Sequence, residues 1–361
     1  FPETTMRITT LLAWSLAALP GFFALPLVAS EHCEPVDGIV SICGLAAPED
    51  LVPAPNGRDL IFGQMAGSGG LYLLDTRDDS VHPLLAVQEA DAPRELWGDP
   101  ACVQPTSRLE AHGLDIRRRA DGRWQVLVVN HAERESVEFY ELQAPTSDRP
   151  QARWRGCAEA PAAANFNDVA GLADGSLLVT HMADRRWQLV NALLAALGRS
   201  TGFVYHWSRD DGFTPMPATR AAHPNGILLA PDEQSFFLNV YLGNALQHHA
   251  LPGGDLLGAV AVPKPDNASW AKDGQLLVAS HEGSLWQIFR SLSQGHERPS
   301  ELPFSILSID PVTLSQSTLL QRSGPPLGAG TVALQRGDDL YVGSYVGDRI
   351  IRLPLPEPQR P

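Results

Sequence analysis

Residues 167–181 read NDVAGLADGSLLVTH, and residues 266–281 read DNASWAKDGQLLVASH. Each segment opens on a carboxylate beside a carboxamide, runs to an Asp-Gly, crosses an apolar Leu-Leu-Val and stops at a histidine. Internal self-similarity of this kind constrains a chain strongly, because each repeat buries its apolar face only against its neighbours. Four further segments follow the same plan: EDLVPAPNGRDLIFG from Glu49, HGLDIRRRADGRWQVLVVNH from His112, NGILLAPDEQSFFLNVY from Asn225 and TVALQRGDDLYVGSY from Thr331. The six copies recur irregularly, about 56 residues apart, which is the period of propeller blades.

Each copy reads as a β-hairpin, with a short apolar strand, an Asx-Gly turn and a second apolar strand. In three copies the polar pair stands at the same offset from the turn: Asp50 to Asn56, Asp168 to Asp174 and Asn267 to Asp273. The polar residues therefore mark the start of each first strand. In a propeller those starts converge on the central channel at one face. The expected fold is all-β, a six-bladed β-propeller over residues 31–361 with a central calcium site. With 31 Gly and 30 Pro in 361 residues, turns are frequent and long helices few. One segment breaks the β pattern: residues 186–197 (RWQLVNALLAAL) place Val190, Leu193, Leu194 and Leu197 at helical spacing before Gly198. This amphipathic helix is expected either to pack on the propeller or to touch a membrane.

Residues 1–30 stand apart. Five upstream residues and Met6-Arg7 precede the 23 uncharged residues 8–30, which end in Val28-Ala29-Ser30. The run reads as a secretory signal peptide or as a membrane anchor, and Pro20 and Pro26 favour the signal. Either outcome exports the remainder, giving a secreted or periplasmic protein, free or membrane-anchored. Export makes Cys33, Cys43, Cys102 and Cys157 disulfide candidates, with three connectivities open. A net charge of −14 argues against a basic nucleic-acid-binding face.

The converging residues are Glu49, Asp50, His112, Asn167, Asp168, Asn225, Asp266 and Asn267. Their carboxylates and carboxamides offer hard oxygen donors, which suit Ca²⁺ rather than zinc or copper. The set exceeds what one ion needs, so two are expected. His112 stands where acids and amides stand in other copies, and a histidine beside a calcium is suited to deprotonate water. That combination points to hydrolysis of an ester or lactone. Gly198-Arg199-Ser200-Thr201-Gly202 spells a serine-hydrolase motif but follows a helix and precedes a strand, the reverse of what that nucleophile requires. His248-His249 lacks a third ligand nearby and reads as a solvated loop.

Taken together, HCEPVDGI, PEDLVPAPNG, HGLDI, LVVNHA, NDVAG, PNGILLAPD, PDNASW and ASH make the chain resemble the serum paraoxonase/arylesterase family of six-bladed calcium propellers. Gluconolactonase-type propellers share parts of the pattern. The resemblance implies a catalytic calcium on Glu49, Asn167, Asn225, Asp266 and Asn267, and a structural calcium on Asp50, Asp168 and the carbonyl of Leu114. It implies that His112 and His131 form a water-activating dyad, that His281 lines the pocket, and that the helix at 186–197 meets membrane or lipoprotein. The chain departs from the family twice. The last strand, DRIIRLPL, lacks the cysteine that would pair with Cys33, leaving Cys33–Cys43 or Cys102–Cys157 to form instead. His223 replaces an aromatic before Asn225, making the pocket wall more polar. The expected function is calcium-dependent hydrolysis of small-molecule lactones and aryl esters. The alternatives are a gluconolactonase-type sugar-lactone hydrolase and a non-catalytic calcium-stabilised propeller that binds a partner.

Overall fold

The turn chemistry written in the repeats is realised in the computed structural model, which describes residues 33–86, 95–295 and 298–357. In five hairpins an Asx oxygen accepts the backbone N–H two residues on: Asn56 from Arg58, Asp121 from Arg123, Asp174 from Ser176, Asp232 from Gln234 and Asp273 from Gln275. The residue between must take positive φ. Gly57, Gly122, Gly175 and Gly274 do so at 77–96°, and Glu233 takes 57° where no glycine is present.

After β1 (Val40–Cys43) come six four-stranded antiparallel sheets. The first holds β2 (Leu51–Pro53), β3 (Leu60–Gly63), β4 (Leu71–Asp75) and β5 (Ser80–Pro83). The second holds β6 (Ala111–Arg118), β7 (Trp124–Asn130), β8 (Ser136–Gln143) and β9 (Gln151–Glu159). The third holds β10 (Phe166–Gly171), β11 (Leu177–His181), β12 (Gly202–Ser208) and β13 (Gly212–Ala221). The fourth holds β14 (Pro224–Leu229), β15 (Ser235–Val240), β16 (Ala245–Ala250) and β17 (Leu256–Ala261). The fifth holds β18 (Pro265–Trp270), β19 (Leu276–His281), β20 (Phe304–Ile309) and β21 (Gln316–Arg322). The last holds β22 (Gly330–Arg336), β23 (Asp339–Ser344) and β24 (Arg349–Pro354), with β1 as its outermost strand.

The first strands β2, β6, β10, β14, β18 and β22 touch in sequence and close a ring, so the fold is the expected six-bladed propeller. Apolar side chains fill the space between sheets. Trp207, Phe139 and Phe166, all fully buried, sit in one such layer between the second and third blades. Closure is achieved by main-chain pairing, with Val40 opposite Arg352 and Cys43 opposite Arg349. Both disulfides left open by the missing last-strand cysteine are present: Cys33–Cys43 near the closing strand and Cys102–Cys157 in the second blade.

Among the described residues two segments, not one, interrupt the β pattern. The expected helix is a 3₁₀ turn at Arg185–Trp187 running into α1 (Gln188–Ala196), ended by Gly198 at φ 74°. The second, α2 (Leu285–Ser293), is opened by a capping box in which Ser284 and Gln287 satisfy each other's backbone N–H. That box, with Leu285, Ile288, Phe289 and Leu292 at helical spacing, was legible in the sequence and overlooked. His248 and His249 lie on β16 and not in a loop; His249 is buried and stacks on Phe236. The uncharged run at 8–30 lies outside the described residues. Among the described residues, no helix is long and apolar enough to cross a membrane.

Candidate functional site

The polar pairs owe their position to irregularity in the first strands. Pairing with the second strand breaks between Ala111 and Leu114, Phe166 and Val169, Pro224 and Ile227, and Pro265 and Ala268. Each break brackets the polar residues, freeing neighbouring side chains from strict alternation across the sheet. Bulges commonly re-aim side chains in this way at functional sites. Small residues let the strands close in. A Cβ at Gly113 would fall 2.4 Å from Asp168 Oδ1, and one at Gly226 would fall 2.3 Å from the Asp266 carbonyl oxygen.

The sequence-derived donors stand at the starts of the first strands of their blades. Glu49, Asn167, Asn225, Asp266 and Asn267 are all buried. Asn267 Nδ2 donates to Glu49 Oε1 at 2.7 Å, and Asn225 bonds Asp266. Yet Glu49 Oε2 and the Oδ1 atoms of Asn167, Asn225 and Asn267 have no hydrogen-bond partner. A buried oxygen without a partner costs about 1–3 kcal/mol. Four such oxygens, from four different blades, are the donor type that a hard divalent cation takes. Electrostatics agree. Burial, then the neighbouring Asp50, Asp266 and Asp168, push the Glu49 carboxyl well above its usual range. Burial raises Asp266 to about 8 despite its bond from Asn225.

Asp50 and Asp168 are built differently. Asp50 accepts the Leu51 and Leu114 N–H groups at 2.8 and 2.7 Å, and Asp168 accepts those of Val169 and Ile227, each at 2.8 Å. Each aspartate thus ties its own blade to the next. Leu114 takes part through its N–H. Beyond them the channel continues as a cavity that Asp50, Leu114, Asp115 and Asp168 help to line. Among the described residues the one cluster of three His, Cys, Asp or Glu donors within metal reach of each other is Cys102, Cys157 and Glu159, and both thiols are spent in a disulfide.

His112 and His131 are brought together as expected. His112 Nδ1 lies 2.7 Å from His131 Nε2, while His112 Nε2 is 3.3 Å from Asn167 Nδ2 and 3.9 Å from Glu49 Oε1. Burial, then the neighbouring His131, holds His112 well below its ordinary value, so it is neutral at pH 7. Across the channel His281 Nδ1 meets Tyr241 Oη at 2.8 Å, its Nε2 stands 3.6 Å from Asp266 Oδ2, and His223 packs beside Tyr241. Burial lowers both His281 and His223 to about 4. Residue-by-residue reading of the sequence missed Tyr241, Asn239 (whose amide donates to the Asp266 carbonyl) and Glu135. Glu135 was within reach: it lies four residues after His131, but Glu133 in the same stretch was an equal candidate until the fold sent Glu133 to Ser107.

No protein-family model and no curated protein matches the sequence. Solved structures do resemble the fold. The gluconolactonase XC5397 from Xanthomonas campestris shares 17% identity at a TM-score of 0.52, covering 88% of this chain and 89% of its own. A luciferin-regenerating enzyme shares 15% identity at a TM-score of 0.51, covering 86% and 92%. At such identities the likeness establishes the six-bladed propeller.

Proposed function

We propose that the protein is a calcium-dependent hydrolase of lactones and aryl esters. One observation carries the reading: the part-buried imidazole of His112, paired with His131, reaches the Glu49 carboxylate and the Asn167 amide, whose buried Oε2 and Oδ1 lack partners. Glu49, Asn167, Asn225, Asp266 and Asn267 would hold the ion at the site, and Asp50, Asp168 and Leu114 a second, structural one. When bound, the first ion supplies Lewis-acid polarisation of the substrate carbonyl and charge for the developing oxyanion. His112 takes the proton of the attacking water, and His131 stands behind it. His223, Tyr241 and His281 shape the opposite wall.

Substrate polarity divides two versions of this reading. The polar wall and the fold shared with a gluconolactonase favour a hydroxylated sugar lactone. The exposed apolar residues of α1 and α2, in the connections that follow His181 and His281 on the site face, favour an apolar lactone or ester. The paired histidines weigh against a non-catalytic propeller, because ion-based stability alone does not require them. Export to a secreted or periplasmic location is supported by the run at 8–30 and by two disulfides.

Two variants assayed on δ-valerolactone, phenyl acetate and gluconolactone test the assignment. His112→Gln should retain bound calcium and its melting temperature while kcat falls roughly 10²–10⁴-fold. Asn225→Ala should lose calcium affinity together with turnover. Wild-type kcat in His112→Gln would remove His112 as the base.

A further inference from the structure

The histidine pair does not end at His131. His131 Nδ1 lies 2.8 Å from Glu135 Oε2, and Arg185 Nη2 approaches the same oxygen at 3.2 Å. The other oxygen, Oε1, accepts the Phe166 N–H at 2.5 Å. Glu135 is buried, its side chain 5% exposed. A proton on Oε2 would confront the Arg185 guanidinium, and one on Oε1 would confront the Phe166 N–H. The arrangement therefore suits a carboxylate, which only accepts hydrogen bonds.

That constraint propagates. With a carboxylate at Oε2, the proton of His131 sits on Nδ1 and its Nε2 carries a lone pair. His112 must then donate from Nδ1 to fill the 2.7 Å contact, which leaves His112 Nε2 bare. In that state the Asn167 Nδ2 amide donates to this nitrogen at 3.3 Å, a long contact that the substrate water displaces, while Asn167 Oδ1 is left without a partner. We infer that Glu135, backed by Arg185, is a positioning residue that fixes the tautomers of both histidines, so that His112 presents a bare Nε2 to the substrate water. This rests on the reading of His112 as base. It adds a third member to the dyad and attaches it to the 3₁₀ turn that leads into α1.

The reversed tautomers, with His131 Nε2–H donating to His112 Nδ1, would leave His112 protonated on Nε2 and unable to take a proton there. A glutamine at 135 favours that state. If its carbonyl keeps the Phe166 N–H, its NH₂ group faces His131 Nδ1 and demands an acceptor. An aspartate keeps the acceptor pair at shorter reach.

The test uses the full chain with saturating calcium and δ-valerolactone. E135Q should lower kcat about 10²–10³-fold while KM moves less than about twofold, as expected when a tautomer is lost and binding is kept. E135D should recover at least about tenfold of that loss, and Arg185→Gln, at a half-exposed position, should cost only about three- to tenfold. Nitrogen-15 NMR of the imidazoles should show the His131 proton on Nδ1 in the wild type and on Nε2 in E135Q. Wild-type kcat in E135Q, with His112→Gln inactive, would overturn the role of Glu135 and leave the base assignment standing. A loss in E135Q with unchanged tautomers and no rescue by aspartate would reduce Glu135 to a structural part and overturn the inference. Full activity in His112→Gln would remove the base itself, and this inference with it.

Discussion

At the scale of single residues, the site is a set of charges that the fold alone leaves uncomfortable. Asp50 rises from 3.8 to about 7, chiefly by burial, and Asp266 rises from 3.8 to about 8 for the same first reason. In metal-free protein these groups hold protons that the unfolded chain releases. Their contribution to stability is then complete below pH 3.8 and is lost as pH rises through about 7 and about 8. The chelated full chain should accordingly melt at lower temperature at pH 8 than at pH 5. Saturating calcium, which binds the ionised forms, should abolish or reverse that slope. A chelated melting temperature that does not change across this range would contradict the account. The donors themselves were legible in the sequence because recurrence marks them: Glu49, Asn167, Asn225 and Asp266 stand at matching places in their repeats. Tyr241 closes its repeat where His131, His181 and His281 close theirs, but a tyrosine there carries no acid–base or metal signal, and Asn239 lies two residues before it. Only the ring closure brings them beside His281 and Asp266.

At the scale of elements, the two helices differ from the rest of the surface. On α1 Leu189, Leu193 and Leu197 are 88%, 63% and 69% exposed, and on α2 Trp286 and Phe289 are 71% and 61% exposed. Only Ala195 of α1 is buried, packed against the third and fourth blades. Both helices follow second strands that end at the site face. Association of α1 with a lipid surface follows as a proposal, and its test separates packing from docking. Leu189→Ser with Leu193→Ser should leave stability within about 0.5 kcal/mol, as exposed substitutions do. Co-sedimentation with phosphatidylcholine vesicles should fall several-fold. A loss of stability above that range with unchanged vesicle binding would mean that these side chains pack on the protein. The helical spacing of α1 gave it away in the sequence. In α2, equally nine residues long and equally placed after a hairpin, the same spacing and a capping box stand in the sequence, but the polar Gln287, Arg290 and Ser291 thin out its apolar run.

At the scale of the whole molecule, the propeller was legible because five of the six hairpins repeat one turn, an Asx oxygen followed by a positive φ. What the sequence left open was how the ring closes. The strand at 40–43 completes the last blade by main-chain pairing, an outcome that residue types do not encode. The closed ring is what makes the site collective, since the unpartnered oxygens come from the first, third, fourth and fifth blades and His112 from the second. A cation would satisfy oxygens that no single blade could gather, so activity and ion should be inseparable. The most direct measurement is hydrolysis of δ-valerolactone by the purified full chain before chelation, after chelation and after calcium is restored, with bound metal quantified at each stage. Turnover should vanish with the ion and return with calcium. Undiminished turnover in a sample shown by elemental analysis to hold no metal would contradict the account.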